Sequence, residues 1–232
     1  MGKNNSKLYA AVYALCDTAF QHLSGEKRDE IIDTIKTFAV YSAASGVAAN
    51  IIPEAGGLMA MAAQTALVWV LYVRINKIIG LEMSEHTAKF IGSAMLTNLS
   101  LNAGSMLLSY AGAVVASFIP IFGQFTAAAI EGTLGYILIY VSAVLYLIFL
   151  TKVFKVKGKI EIDGSKNDEE ILKGVMKNTS LKDLIDEAKN DYKKAKRDGE
   201  IDRASKHLKC PICGHDVDSS KSFCTNCGTQ LK

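Results

Sequence analysis

Charge is almost missing from the middle of this 232-residue chain: between Lys89 and Lys152 the only charged side chain is Glu131. A uniformly soluble globule has no need of so long a run, so that class is set aside. Cysteine is scarce too. There are five, and four of them fall at positions 210, 213, 224 and 227, which excludes a disulfide-rich secreted scaffold. With 3 prolines and no repeated period the chain is neither collagenous nor a repeat array. The polar start, Met1-Gly2-Lys3-Asn4-Asn5-Ser6, lacks the apolar stretch and small-residue site of a cleaved signal. It fits the loose Met-Gly-x-x-x-Ser pattern for myristoylation, from which an integral membrane protein would gain little. No Gly-Lys-Ser/Thr ending follows Gly56-Gly57 or Gly132-Thr133-Leu134-Gly135, so an intrinsic P-loop nucleotide hydrolase is not expected.

The charge that is present is unevenly placed. Residues 1–151 carry 8 Lys/Arg and 9 Asp/Glu, and residues 152–232 carry 18 and 14, so the net +3 averages two kinds of polypeptide. Four units follow: an N-terminal amphipathic helix over 1–29, a helical membrane domain over 30–151, a charged linker with one or two helices over 152–207, and a cysteine-rich tail over 208–232.

In the first unit Leu8, Val12, Leu15, Ala19 and Leu23 recur at helical spacing, and Gly25 is a plausible stop. A second helical pattern begins near Glu26. In the membrane domain four segments are candidate spans: 37–53, rich in small residues; 55–73; about 101–119, preceded by an amphipathic lead from about Ser84; and 133–151. Lys27, Arg28 and Lys36 precede the first segment, Arg74, Lys77 and Lys89 lie between the second and third, and Lys152, Lys155, Lys157 and Lys159 follow the fourth. The other two loops hold only Glu54 and Glu131. If all four segments cross, every basic loop lies on one side, and the positive-inside rule makes both termini cytoplasmic. The alternative is a buried helical bundle that never meets lipid. The expected fold class is therefore an all-α integral membrane domain of about four spans, followed by a charged helical linker and a small C-terminal β zinc ribbon.

After the apolar domain, residues 155–163 alternate as in a short strand or extended linker, and 168–177 read as helix. Ser180 with Asp183 resembles a capping box. Leu181, Leu184, Ile185, Ala188, Tyr192 and Ala195 then form a narrow stripe on a charged helix ending near Gly199, which suits a solvated spacer or a docking helix.

The tail carries Cys210-Pro211-Ile212-Cys213-Gly214 and Cys224-Thr225-Asn226-Cys227-Gly228. Each Cys-x-x-Cys turn lets two thiolates converge, and four thiolates satisfy tetrahedral zinc, so Cys210, Cys213, Cys224 and Cys227 are the predicted ligands of a structural Zn²⁺. A site so closed leaves no open position for catalysis. His215 is a spare imidazole, expected to be exposed or outside the ligand set. The segment resembles the short zinc-ribbon family found at the ends of prokaryotic membrane and regulatory proteins, on its Cys-Pro-x-Cys-Gly turn, its Phe223-Cys224 pair and its second Cys-x-x-Cys-Gly. The family implies a fold and not a function. Phe223 is the tail's one aromatic and its basic residues are few, so nucleic acid is not the expected partner.

Other polar positions are isolated. Glu131 marks an interfacial loop or an ion path, Gln64, Asn98 and Asn102 are candidates for interhelical hydrogen bonds, and Cys16 belongs to a buried face. Residues Ile51-Ile52-Pro53-Glu54-Ala55-Gly56-Gly57, Gln64, Ile78-Ile79-Gly80, Ile119-Pro120-Ile121-Phe122-Gly123 and Gly132-Thr133-Leu134-Gly135 are together similar to the YcjF-type, GTPase-associated membrane domain of unknown function. Glu-Ala-Gly-Gly stands where that family more often has a Pro-Gly-x-Asp turn. The resemblance implies a membrane domain that works with a GTPase.

The function expected from these features is that of a non-enzymatic adaptor, bound to a lipid bilayer and presenting the ribbon to a cytoplasmic protein partner. One alternative is a homo-oligomeric pore or transporter subunit packed through Gly46, Gly92, Gly104, Gly112, Gly123 and Gly135. A second is a membrane-tethered nucleic-acid-binding regulator.

Overall fold

The structure is a computed structural model that describes residues 6–49, 56–84, 86–87, 89–99, 104, 127–206, 215–216, 224 and 226–227, with side chains throughout except at 45–49, 56–64 and 127–129. Its helices are α1 (Lys7–Ala19), α2 (Gly25–Ala49), α3 (Gly56–Ile79), α4 (89–99), α5 (Ala127–Lys157), α6 (Lys166–Asn178), α7 (Leu181–Arg197) and α8 (Glu200–Lys206).

Local chemistry sets the ends of these helices. Ser24 Oγ accepts from the Lys27 N–H, and Glu26 complements the dipole at the start of α2. Gly80 has φ +72° and Leu81 N–H reaches back to the Asn76 carbonyl, the Schellman closure that stops α3. Gly158, φ +71°, stops α5 in a similar way, with its N–H on the Phe154 carbonyl. Helix therefore persists to Lys157 where an alternating strand pattern was expected, and only 158–165 is non-helical. That connection is fastened by buried Asp168, which accepts from the N–H groups of Asp163 and Gly164 and pairs with Lys157 at 2.6 Å. Ser180 Oγ caps α7 by accepting from Asp183 N–H, as the Ser-x-x-Asp spacing predicts.

The long pair α2 and α5 forms the middle of the bundle. On one side α1, α6 and α7 pack on α5, and α8 packs on α2; on the other, α3 packs on both α2 and α5. Leu8, Ala11, Val12, Leu15 and Cys16 are the buried face of α1, and Ile31, Ile32, Ile35 and Phe38 that of α2. The stripe on α7 is buried at Leu184, Ile185, Ala188, Tyr192 and Ala195, so this charged helix docks and is no free spacer.

The expectation of four spans and a β ribbon is corrected here. Among the described residues one helix, Ile130–Lys157, is long and apolar enough to cross a membrane, and 78% of its most apolar window is buried inside the protein. The first candidate span is the second half of α2, whose first half is charged. The second is part of α3, and 101–119 lies almost wholly outside the described residues. A helix apolar on every side suits a protein core as well as it suits lipid, and α5 is enclosed by its neighbours. No strand occurs among the described residues, where Asp216 makes a single bridge pairing. In so short a tail little apolar surface is available to hold a sheet, so the residue pattern does not itself specify one.

Candidate functional site: the tail cysteines and a tyrosine–carboxylate seam

Of the four predicted zinc ligands, Cys210 and Cys213 lie outside the described residues. Cys224 is buried, Cys227 is exposed and neither forms a disulfide. Asn226 and Cys227 lie in a turn, the local geometry a Cys-x-x-Cys knuckle requires. The described half of the donor set is compatible with zinc: two cysteine sulfurs, one buried and one exposed, the second in a turn. Among the described residues no group of three metal-binding side chains assembles. His215 is exposed.

The other polar positions fall as follows. Cys16 is buried as expected, and burial pushes its thiol pKa up, an effect that nearby Arg28 partly offsets. Asn98 Nδ2 donates to the Ala94 carbonyl of its own helix at 2.8 Å. Glu131 is half-buried near the start of α5. The side chain of Gln64, and all of Asn102, lie outside the described residues. Gly92 permits a close approach: a Cβ there would stand 2.6 Å from Cδ1 of Trp69.

The dominant polar constellation joins α1, α5 and α7. Glu187 on α7 accepts from Tyr140 Oη at 2.7 Å, from Ser6 Oγ at 2.5 Å, and from the backbone N–H groups of Lys7 and Leu8 at 2.8 and 3.4 Å. One carboxylate therefore caps the start of α1 and grips α5. One turn along, Asp191 accepts from Tyr136 Oη at 2.8 Å, and Lys36 on α2 lies 4.0 Å from it. Tyr192 meets Tyr136 edge-on at 5.4 Å. Burial pushes the phenols of Tyr136 and Tyr140 well above their ordinary range, and the carboxylates facing them add to the shift. Both phenols thus stay protonated donors, and the seam is a clasp that ties α1 and α7 to α5.

A second cluster lies between α3, α4 and α5. Tyr72 and Tyr146 stack at 3.9 Å. Tyr146 Oη donates to Asn76 Oδ1 at 2.7 Å, and Tyr72 Oη donates to the Ser142 carbonyl at 3.0 Å. Asn76 Nδ2 reaches the thioether of Met83 at 3.4 Å. Beside it a cleft of about 600 Å³ is lined by Val73, Asn76, Lys77, Gly80 and Leu81 through Ser84. Both ends of the Asn76 amide are engaged within the protein.

Neither cluster was anticipated from the sequence. The signal was there in the spacing: Tyr136 and Tyr140 on one helix and Glu187 and Asp191 on the other are both four residues apart, and they pair in antiparallel register. Comparison with known proteins gives no match to any family model, curated protein or solved structure.

Proposed function

We propose that the protein is a non-enzymatic, membrane-associated adaptor whose helical bundle carries a zinc-bound tail to a cytoplasmic protein partner. The observation that carries this reading is the docking of α6–α8 on α2 and α5. The charged arm belongs to the bundle, and the four-cysteine tail follows directly from α8, which ends at Lys206. The tail is then a short module held close to a rigid body. Support for a common side for both termini comes from Glu187, which ties the start of α1 to α7.

Cys210, Cys213, Cys224 and Cys227 would hold the zinc, and its contribution is to order the tail, since binding energy in such sites is folding energy. A GTPase is the partner class suggested by the resemblance of the apolar domain, and the docking of the arm narrows how to test for one. Removing everything after residue 164 would strip α5 of packing, so the informative truncation is 208–232 alone.

Full-length protein extracted in mild detergent is expected to carry one zinc per chain and to retain a stoichiometric partner. The 208–232 truncation should lose both while keeping its helical content. A full-length tail without zinc, or a partner kept by the truncated chain, overturns the adaptor reading.

A further inference from the structure

The bundle has two unlike sides. On one, α1, α6, α7 and α8 present Lys7, Asp17, Glu169, Glu170, Lys173 and Lys194 to solvent, among other charges. On the other lies α3, and no charge occurs in the sequence from 65 to 73 or from 90 to 99. The outward positions say more than composition does. On α3 the partly or fully exposed residues up to Arg74 are Thr65, Ala66, Trp69, Val70 and Val73, the last 41% exposed. On α4, past Lys89, Phe90 is 38% exposed, and the positions after it that reach the surface are uncharged through Asn98. A helix face turned to water would carry charge at such positions, as α7 does.

The edge of this face is basic. Arg74, Lys77 and Lys89 are exposed, and the Lys89 ammonium sits 5.7 Å from the centre of the Trp69 ring. Trp69 packs its Nε1 edge against Gly92 and leaves only part of its ring outward, and an uncharged helical face with such a ring and long basic side chains at its edge is the arrangement that meets an anionic bilayer: the exposed ring edges and methyls enter the acyl boundary, and the cations reach the lipid phosphates. Among the described residues Glu82, in the turn after α3, is the exposed acid nearest this edge in sequence.

We infer that the α3–α4 side of the bundle, rimmed by Arg74, Lys77 and Lys89, is its membrane-contacting face, that the partner surface is an anionic lipid bilayer, and that α1, α7 and α8 face the cytoplasm, with the start of α6 beside Phe90 at the edge of this face. The inference rests on the membrane association proposed above and adds to it an orientation. The long apolar helix α5 is then the protected middle of the molecule, with the clasp on its aqueous side and α3 on its lipid side.

Trp69 is the chain's one tryptophan, so it reports on this face without labelling. Full-length protein is bound to vesicles of phosphatidylcholine and phosphatidylglycerol, with and without brominated acyl chains. Trp69 should lose most of its emission to the brominated lipid and little to aqueous iodide. The double variant W69F/Y13W moves the reporter to exposed Tyr13 on α1 and should show the reverse. Neutralising Arg74 and Lys77 to glutamine should weaken partitioning onto anionic vesicles about fivefold for each charge removed. If the chain floats with vesicles but Trp69 answers to iodide and not to bromine, or if both reporters answer to bromine, the orientation is overturned while membrane association stands. If the chain does not float with vesicles at all, association and orientation fall together.

Discussion

Replacing Glu187 by alanine is expected to destabilise the protein by about 3 kcal/mol, which for a chain of this length lowers Tm by roughly 6–12 °C. The size follows from what one carboxylate holds. Tyr140, Ser6 and the Lys7 and Leu8 amides all donate to it, and three of these four groups lie in the first turn of α1 or just before it. Alanine leaves a buried phenol without its acceptor and the start of α1 without a cap, and each loss costs on the order of 1–3 kcal/mol when the group cannot reach water. Glutamine keeps an acceptor oxygen but removes the charge facing the helix dipole, so E187Q should fall between the variant and the natural protein. Because the contact joins positions more than 170 apart in the chain, its loss should also open the arm. Limited proteolysis of E187A should cut in α7 or at Thr179 before it cuts elsewhere. A melting temperature unchanged in E187A would show that α1 and α7 hold to α5 through apolar contact alone.

The sequence is legible where a single residue type decides a local outcome. Gly80 at the end of α3, Ser180 at the start of α7 and the apolar spacing of Leu8, Val12 and Leu15 each did what local physics asks of them. What could not be read was which surface each apolar stretch faces. Residues 133–151 are apolar all round, and that property is shared by a lipid-exposed span and by a helix surrounded on all sides by protein. The deciding information sits in other segments: the stripes on α1 and α7 need a partner, and α5 supplies it through Tyr136 and Tyr140. Those tyrosines were the one polar feature of the segment. Three of its four tyrosine and serine side chains are phenols, and a phenol can lie against carbon while donating once at its tip, which marks a helix expecting acceptors beside it. The tail differs in kind. The spacing of two Cys-x-x-Cys pairs suggests a ligand set because tetrahedral zinc constrains spacing, whereas the pattern of so short a tail does not specify a β fold.

Raising the pH should unfold the protein steeply, because the same phenols are locked in their protonated form. Burial is the main cause that lifts the pKa values of Tyr72, Tyr136, Tyr140 and Tyr146 far above that of a free phenol, with Glu187 and Asp191 adding to it at Tyr140 and Tyr136. The folded chain holds these protons more tightly than the unfolded chain, whose phenols titrate near pH 10. Stability is therefore complete below about pH 10 and is lost as the pH rises from there toward the folded values. Each phenol contributes about 1.4 kcal/mol per pH unit in that window, so four acting together give about 5 kcal/mol per unit. Against a total stability on the order of 5–15 kcal/mol, helical signal should collapse within about one to three units above pH 10. Absorbance at the phenolate band should rise in two stages, the exposed tyrosines first and these four, together with buried Tyr192, in step with unfolding. The variant Y140F removes one of the four and should flatten the transition by about a quarter, at the cost of one hydrogen bond to Glu187. If all the tyrosines ionise near pH 10 while the helices stay intact, the phenols are open to water and the clasp on α5 does not form as described.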